Sequence, residues 1–151
     1  SGYRYDVEEF DKLLDEKSLG ENGQRASRYC QAIALYQGDY LEQFESGWCL
    51  VERERLRSRY IAALMALADL YVERGEYDRS LELYQRVLAE DSYQEAACRG
   101  LMRCYALIGN RALAIQCYWD FARLLREELG LDPMPETEKL YLQILDAESG
   151  P

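Results

Sequence analysis

The chain contains no histidine. That removes the imidazole base on which Ser-His-Asp and Cys-His mechanisms depend, and it restricts any zinc site to cysteine and carboxylate ligands. Five cysteines are present, Cys30, Cys49, Cys98, Cys104 and Cys117, and no two form a Cys-x-x-Cys pair. Their odd number and their spacing match no familiar metal cage, and several fall at apolar-periodic helical positions where a free thiol behaves as a small hydrophobe. Unpaired thiols suit a reducing compartment. No apolar run approaches the ~20 residues needed to span a bilayer, and the N-terminus lacks the charged-then-apolar pattern of a signal peptide. A soluble, cytoplasmic domain without membrane contact is predicted.

Cationic charge is also scarce, with 18 Lys and Arg against 28 Asp and Glu, a formal net charge of −10. Nucleic-acid binding draws most of its affinity from cationic side chains that displace counterions from phosphates. The one candidate stripe, Arg53, Arg55, Arg57 and Arg59, is interrupted by Glu52 and Glu54; it reads as a solvated helix face of alternating charge. The ten glycines are dispersed and give neither a Walker loop nor a dinucleotide fingerprint. Adjacent acidic residues such as Glu8 with Glu9 and Glu127 with Glu128 point apart on a helix and supply no convergent acid–base pair. No catalytic residue, metal or cofactor is assigned, and the chain is read as a non-enzyme.

What remains is helix. All three prolines, Pro133, Pro135 and Pro151, lie at the C-terminal end, so nothing from Ser1 to Asp132 forbids an all-α fold. Hydrophobic residues at 48% and charged residues at 30% suit a folded chain, and 151 residues suffice for one compact domain over 1–151. A first helix is expected to start after Asp6, with Glu9 completing a capping box, and to bury Val7, Phe10 and Leu14. A second should cover Gln24 to Tyr36, burying Tyr29, Ile33 and Ala26. The stretch Gly38-Asp39-Tyr40-Leu41 reads as a turn. A long helix follows from about Trp48 to Arg74, presenting Tyr60, Leu64, Leu67 and Tyr71 on one face, and Gly75 ends it.

From there the sequence repeats. Leu67, Ala68, Tyr71 and Gly75 recur as Leu101, Met102, Tyr105 and Gly109, and Ser80, Leu81 and Tyr84 recur as Ala114, Ile115 and Tyr118, always 34 residues apart. A period of 34 with small residues at helix crossings and aromatics at fixed offsets is the tetratricopeptide signature. Repeats of about 61–94 and 95–128 are predicted, the second opening on a Ser92–Glu95 capping box. Two repeats cannot close a solenoid core alone. Flanking helices must therefore cap them, including a C-terminal helix over about 133–146. That helix would be capped by Asp132 or Met134 and would turn Leu140, Tyr141, Ile144 and Leu145 inward. The architecture expected is tetratricopeptide-like stacked helical hairpins, about seven helices in a right-handed superhelix.

In such a stack the first helix of each hairpin lines a groove, which selects Met65, Asp69, Val72 and Glu73 in the first repeat and Arg99, Arg103 and Ala106 in the second. Arg99 and Arg103 are i, i+4 neighbours, a local reversal of sign suited to an acidic or carboxylate-bearing segment. The ordinary alternative is that these arginines pair with acids of an adjoining helix or of the C-terminal helix.

Several segments, taken in order, resemble a known family. These are Asp6-Val7-Glu8-Glu9-Phe10, then Ala32-Ile33-Ala34-Leu35-Tyr36-Gln37-Gly38-Asp39-Tyr40-Leu41, and Trp48 followed by Glu52-Arg53-x-Arg55-Leu56. The last runs from Leu125 to Thr137 through Glu-Leu-Gly-Leu-Asp-Pro-x-Pro-Glu. The set resembles the bacterial transcriptional activator domain (BTAD) of SARP-type antibiotic regulatory activators. The resemblance implies a domain that follows a winged-helix DNA-binding domain and serves dimerisation or contact with the transcription machinery. Ser1-Gly2-Tyr3-Arg4-Tyr5 is then either the last strand of a winged helix or a cloning scar.

The reading favoured is a protein-interaction and oligomerisation domain of a bacterial transcription activator, itself without nucleic-acid contact. Its partners would be its own winged-helix domain, RNA polymerase, another regulator domain or a second copy. The rivals are a generic adaptor that uses Arg99 and Arg103, and a small-molecule sensor with a pocket between the N-terminal helices and the repeats.

Overall fold

A computed structural model describes residues 2–15, 20, 22–37 and 50–147. Among them are seven helices and no strand: α1 (Gly2–Leu13), α2 (Asn22–Gln37), α3 (Leu50–Glu73), α4 (Tyr77–Glu90), α5 (Glu95–Ile108), α6 (Arg111–Leu129) and α7 (Pro135–Asp146). The predicted all-α fold of about seven helices is what the described residues show. The turn expected at Gly38-Asp39-Tyr40-Leu41, and Trp48 and Cys49, lie outside the described residues. Contacts divide the chain into two compact units, Ser1–Leu70 and Tyr71–Pro151.

The first unit holds α1, α2 and most of α3. Its buried residues include Val7 and Phe10 on α1, Leu14 just after it, Ala26, Ile33 and Tyr36 on α2, and Tyr60 and Leu64 on α3. The ring of Tyr36 stacks on Tyr60 with centroids 4.1 Å apart and meets Phe10 at 5.8 Å, aromatic geometry that adds to the area buried. The start of α1 differs from expectation. The helix is already formed at Gly2, so Gly2–Tyr5 make no strand. The N–H groups that Asp6 would have capped bond to carbonyls one turn earlier. Asp6 lies inside the helix, 4% exposed, and its Oδ2 has no hydrogen-bond partner among the described residues; burial raises its pKa above the usual carboxylate value.

The second unit carries the repeat. Gly75 and Gly109, 34 residues apart, both adopt positive φ (76° and 95°). Each is followed by the same closing bond, Glu76 N–H to Tyr71 C=O (2.9 Å) and Asn110 N–H to Tyr105 C=O (2.8 Å). That is a left-handed helix stop used twice, which any Cβ would strain. Residues that correspond across the period share their environment: Ser80 and Ala114 are fully buried, Tyr84 and Tyr118 are buried, and Tyr71 and Tyr105 are half-buried. Gly100, on α5, marks the closest approach: a Cβ there would lie 2.5–2.7 Å from three ring carbons of Tyr84.

The capping box predicted at Ser92 and Glu95 does not form. Gln94 is the N-cap of α5, without a side-chain cap. The turn is held instead by Asp91, whose carboxylate accepts from Tyr93 N–H (3.1 Å) and Gln94 Nε2 (3.1 Å). Helix α7 starts as predicted with Met134 at the N-cap and Pro135 at the first helical position; Asp132 pairs with Arg126 instead. Ile144 is buried in a core with Cys98, Met102, Ala114, Tyr118, Phe121 and Leu125, and Leu140 and Tyr141 pack against it. No described helix is long and apolar enough to cross a membrane.

Candidate protein-interaction site

The seven residues selected from sequence fall on two helices. Met65 (half-buried) and Asp69 (exposed) lie on the part of α3 that belongs to the first unit, and Val72 and Glu73 on its last turn in the second. Arg99, Arg103 and Ala106 follow one another down one face of α5. They are not alike in environment. Ala106 packs against the core of the second unit, and only Arg103 is exposed.

Arg99 is consumed by the protein itself. Its side chain is 12% exposed, and it donates through Nη1 to Thr137 Oγ1 (2.9 Å) and faces Glu95 (3.9 Å) and Glu136 (3.6 Å). Thr137, fully buried, donates in turn to Glu95 Oε2 (2.5 Å), which also accepts the N–H of Met134 (2.6 Å). A carboxylate at the first N–H of α7 sits at the positive end of the helix dipole. The far end of α7 is tied by Arg111 Nε to the carbonyl of Ile144 (3.1 Å). Arg99 therefore fastens the C-terminal helix, the ordinary alternative weighed for it, and the two-arginine clamp does not exist as drawn.

Two arginines of the stripe on α3, Arg55 and Arg59, are likewise engaged by acids of the chain, whereas Arg53 is exposed. Arg55 makes a bidentate pair with Asp11 (3.0 and 2.9 Å) and two bonds to Glu52 (3.1 and 2.9 Å), and Arg59 reaches Asp11 at 2.6 Å. The bond from Arg55 lowers the pKa of Glu52, and Arg55 is itself held firmly protonated. Beside this network an open cleft of about 1080 Å³ runs along the first unit, with Glu8, Asp11 and Asp15 on one side and Ala62, Ala63 and Ala66 on the other. Among the described residues no group of three or more His, Cys, Asp or Glu is placed to hold a metal. Cys30, Cys98, Cys104 and Cys117 form no disulfide among the described residues.

Sequence reasoning passed over Trp119. It is 51% exposed on α6, yet its indole is fixed edge-on against Tyr118 (5.4 Å) and Tyr141 (5.6 Å), which stack on each other at 4.1 Å. A half-exposed tryptophan held on a rigid aromatic base is the type of residue that anchors protein interfaces. The signal was present in the repeat: 119 − 34 = 85, and position 85 is an exposed glutamine, so no packing rule of the repeat requires an aromatic there.

The chain is 26% identical over 144 residues to the regulatory protein AfsR of Streptomyces coelicolor, covering 91% of this chain and 14% of that protein. It is 25% identical over 150 residues to the regulatory protein DnrI of Streptomyces peucetius, covering 96% and 55%. To the transcriptional regulatory protein MoaR1 of Mycobacterium tuberculosis it is 32% identical over 79 residues, covering 52% and 25%. The chain thus spans between about a seventh and about half of the length of these relatives. The profile described as bacterial transcriptional activator domain matches residues 5–145, and the chain belongs to that family.

Proposed function

We propose that this domain acts in transcription regulation as a protein-contact module, joining its regulator to another protein surface without itself touching nucleic acid. The observation that carries the reading is Trp119, half-exposed and braced by the Tyr118–Tyr141 stack. Rigid aromatics of this kind lose little conformational entropy on docking and supply most of the energy of an interface. Charge supports the second half of the reading: the net charge is −10, and Arg55, Arg59 and Arg99 are engaged with acids of the same chain and not held ready to gather phosphates. Exposed Arg103 would sit at the border of a contact, and an adaptor that needs Arg99 as a second cation loses its basis.

A competition experiment tests the proposal. The isolated domain, added in excess to a transcription reaction driven by the intact regulator, should titrate the partner away and depress activated transcription, and the Trp119→Ala domain should do so at least about tenfold less well, the loss typical of a hot-spot residue. Equal inhibition by both domains would remove Trp119 from the contact. Tight, salt-sensitive binding of the isolated domain to promoter DNA would overturn the reading as a whole.

A further inference from the structure

The second repeat carries a partly open pocket at positions where the first repeat has larger side chains. Between α4, α5 and α6 lies a cavity of about 240 Å³ walled by Leu88, Leu101, Phe121 and Leu124. Cys98 and Cys117 also line it, with Cys98 Sγ 3.8 Å from the carbonyl of Cys117. In the 34-residue register 98 − 34 = 64 and 117 − 34 = 83, and both counterparts, Leu64 and Leu83, are buried leucines. At two positions where the first repeat places four side-chain carbons, the second places only Cβ and Sγ.

The walls define what would fit. The volume exceeds the roughly 150 Å³ of a hydrocarbon cavity that takes up benzene and falls short of the roughly 300 Å³ at which drug-sized pockets begin. Burial pushes the Cys98 thiol up to about 12 and the Cys117 thiol up to about 11, so both are uncharged at neutral pH. The polar groups on the lining are the exposed Ser92 and Asp120. One carboxylate oxygen of Asp120 accepts from Gln116 Nε2 (2.7 Å); the charge on this group would repel an anionic ligand, and its second oxygen suits a hydrogen-bond donor.

We infer that this cavity is a binding site for a small neutral aromatic molecule, one or two rings in size, carrying a single hydroxyl or N–H group directed at Asp120. The site lies inside the second unit, among α4, α5 and α6, and it does not depend on the interaction role proposed for Trp119.

Indole is a suitable probe, and the cysteines supply the readout. The whole chain is treated with N-ethylmaleimide at pH 8 with and without indole, and each cysteine is followed by mass spectrometry. Saturating indole should slow modification of Cys117 at least about fivefold, in proportion to site occupancy, and leave exposed Cys30 unchanged. Cys117→Leu, which restores the first repeat's residue, should fill the space and weaken indole binding at least about tenfold by calorimetry. Indole-2-carboxylate should bind at least about tenfold more weakly than indole, because Asp120 opposes its charge. The proposal is overturned by an unprotected Cys117, by a folded Cys117→Leu chain that binds indole as the parent does, or by equal affinity for the carboxylate. Should Cys117→Leu fail to fold, protection of Cys117 in the unaltered chain decides alone.

Discussion

Replacing Gly100 by alanine puts the packing account at risk in a way that opposes intrinsic preference. In an exposed helix interior the change would stabilise by about 1 kcal/mol, because glycine loses more backbone freedom on folding. Here the new Cβ would stand 2.5, 2.6 and 2.7 Å from three ring carbons of Tyr84, against the roughly 3.5–4.0 Å at which carbons rest. The overlap is about 1 Å at three atoms at once. Tyr84 is 1% exposed, so the ring has no open space to swing into and the helices themselves must part. Overpacking of this kind typically costs about 1–3 kcal/mol, occasionally more; set against the propensity gain, a net loss of about 2 kcal/mol is expected, the overlap placing the gross cost at the upper end. In a unit of this size that lowers the melting midpoint by roughly 8–16 °C. The assay is urea unfolding followed by the fluorescence of Trp119 in a Trp48→Phe background, which isolates α6. A double-mutant cycle with Tyr84→Leu identifies the cause: with the ring gone, Gly100→Ala should lose at least about 1 kcal/mol of its penalty. A Gly100→Ala chain as stable as the parent, or a cycle without coupling, would refute the close approach of α4 and α5.

Three further outcomes follow from the second unit. Thr137→Val keeps the shape of a fully buried side chain but strips Glu95 and Arg99 of their shared hydroxyl; a loss of about 2 kcal/mol in chemical denaturation is expected, and Thr137→Ser should recover most of it. Deleting the chain from Pro133 onward removes Ile144 from the core and Tyr141 from its stack on Tyr118, which should cost at least about 4 kcal/mol; an unchanged melting midpoint would contradict the capping role of α7. Alkali should weaken the second unit. The folded state keeps the Cys98 proton up to about 12 against 9.0 for the ordinary thiol, so above pH 9 unfolding releases a proton and stability falls as pH rises. The full effect, three pH units at 1.36 kcal/mol each, is about 4 kcal/mol. Cys98→Ala should reduce the slope of stability against pH between 9 and 11 by about 1 kcal/mol per unit; an unaltered slope would mean that the thiol is not the group being titrated.

The repeat was legible because it is written twice. Glycine stops, small residues at crossings and aromatic fillers recur 34 residues apart, and each copy checks the other: Gly75 with Gly109, Ser80 with Ala114. What was misread involved partners far away in sequence. Ser92 and Glu95 have the spacing of a capping box, but Glu95 is claimed by Met134 and Thr137, 39 and 42 residues on, and a stronger tertiary partner displaces a local one. The same hub removes Arg99 from the surface, where i, i+4 spacing alone had placed it beside Arg103. Asp6 fits a helix start only if the helix starts there, and residues before it are already helical. The exposed Trp119 and the hollow beside Cys117 are departures from the repeat, visible only when one copy is laid over the other.

The central claim, that this domain contacts protein and not nucleic acid through the aromatic platform on α6 and α7, is tested most directly in the regulator that carries it. Trp119→Ala should leave promoter affinity within about twofold while activated transcription falls at least about tenfold, the loss expected of an interface anchor. Undiminished activation, or a fall in promoter affinity that accounts for the whole effect, would contradict it.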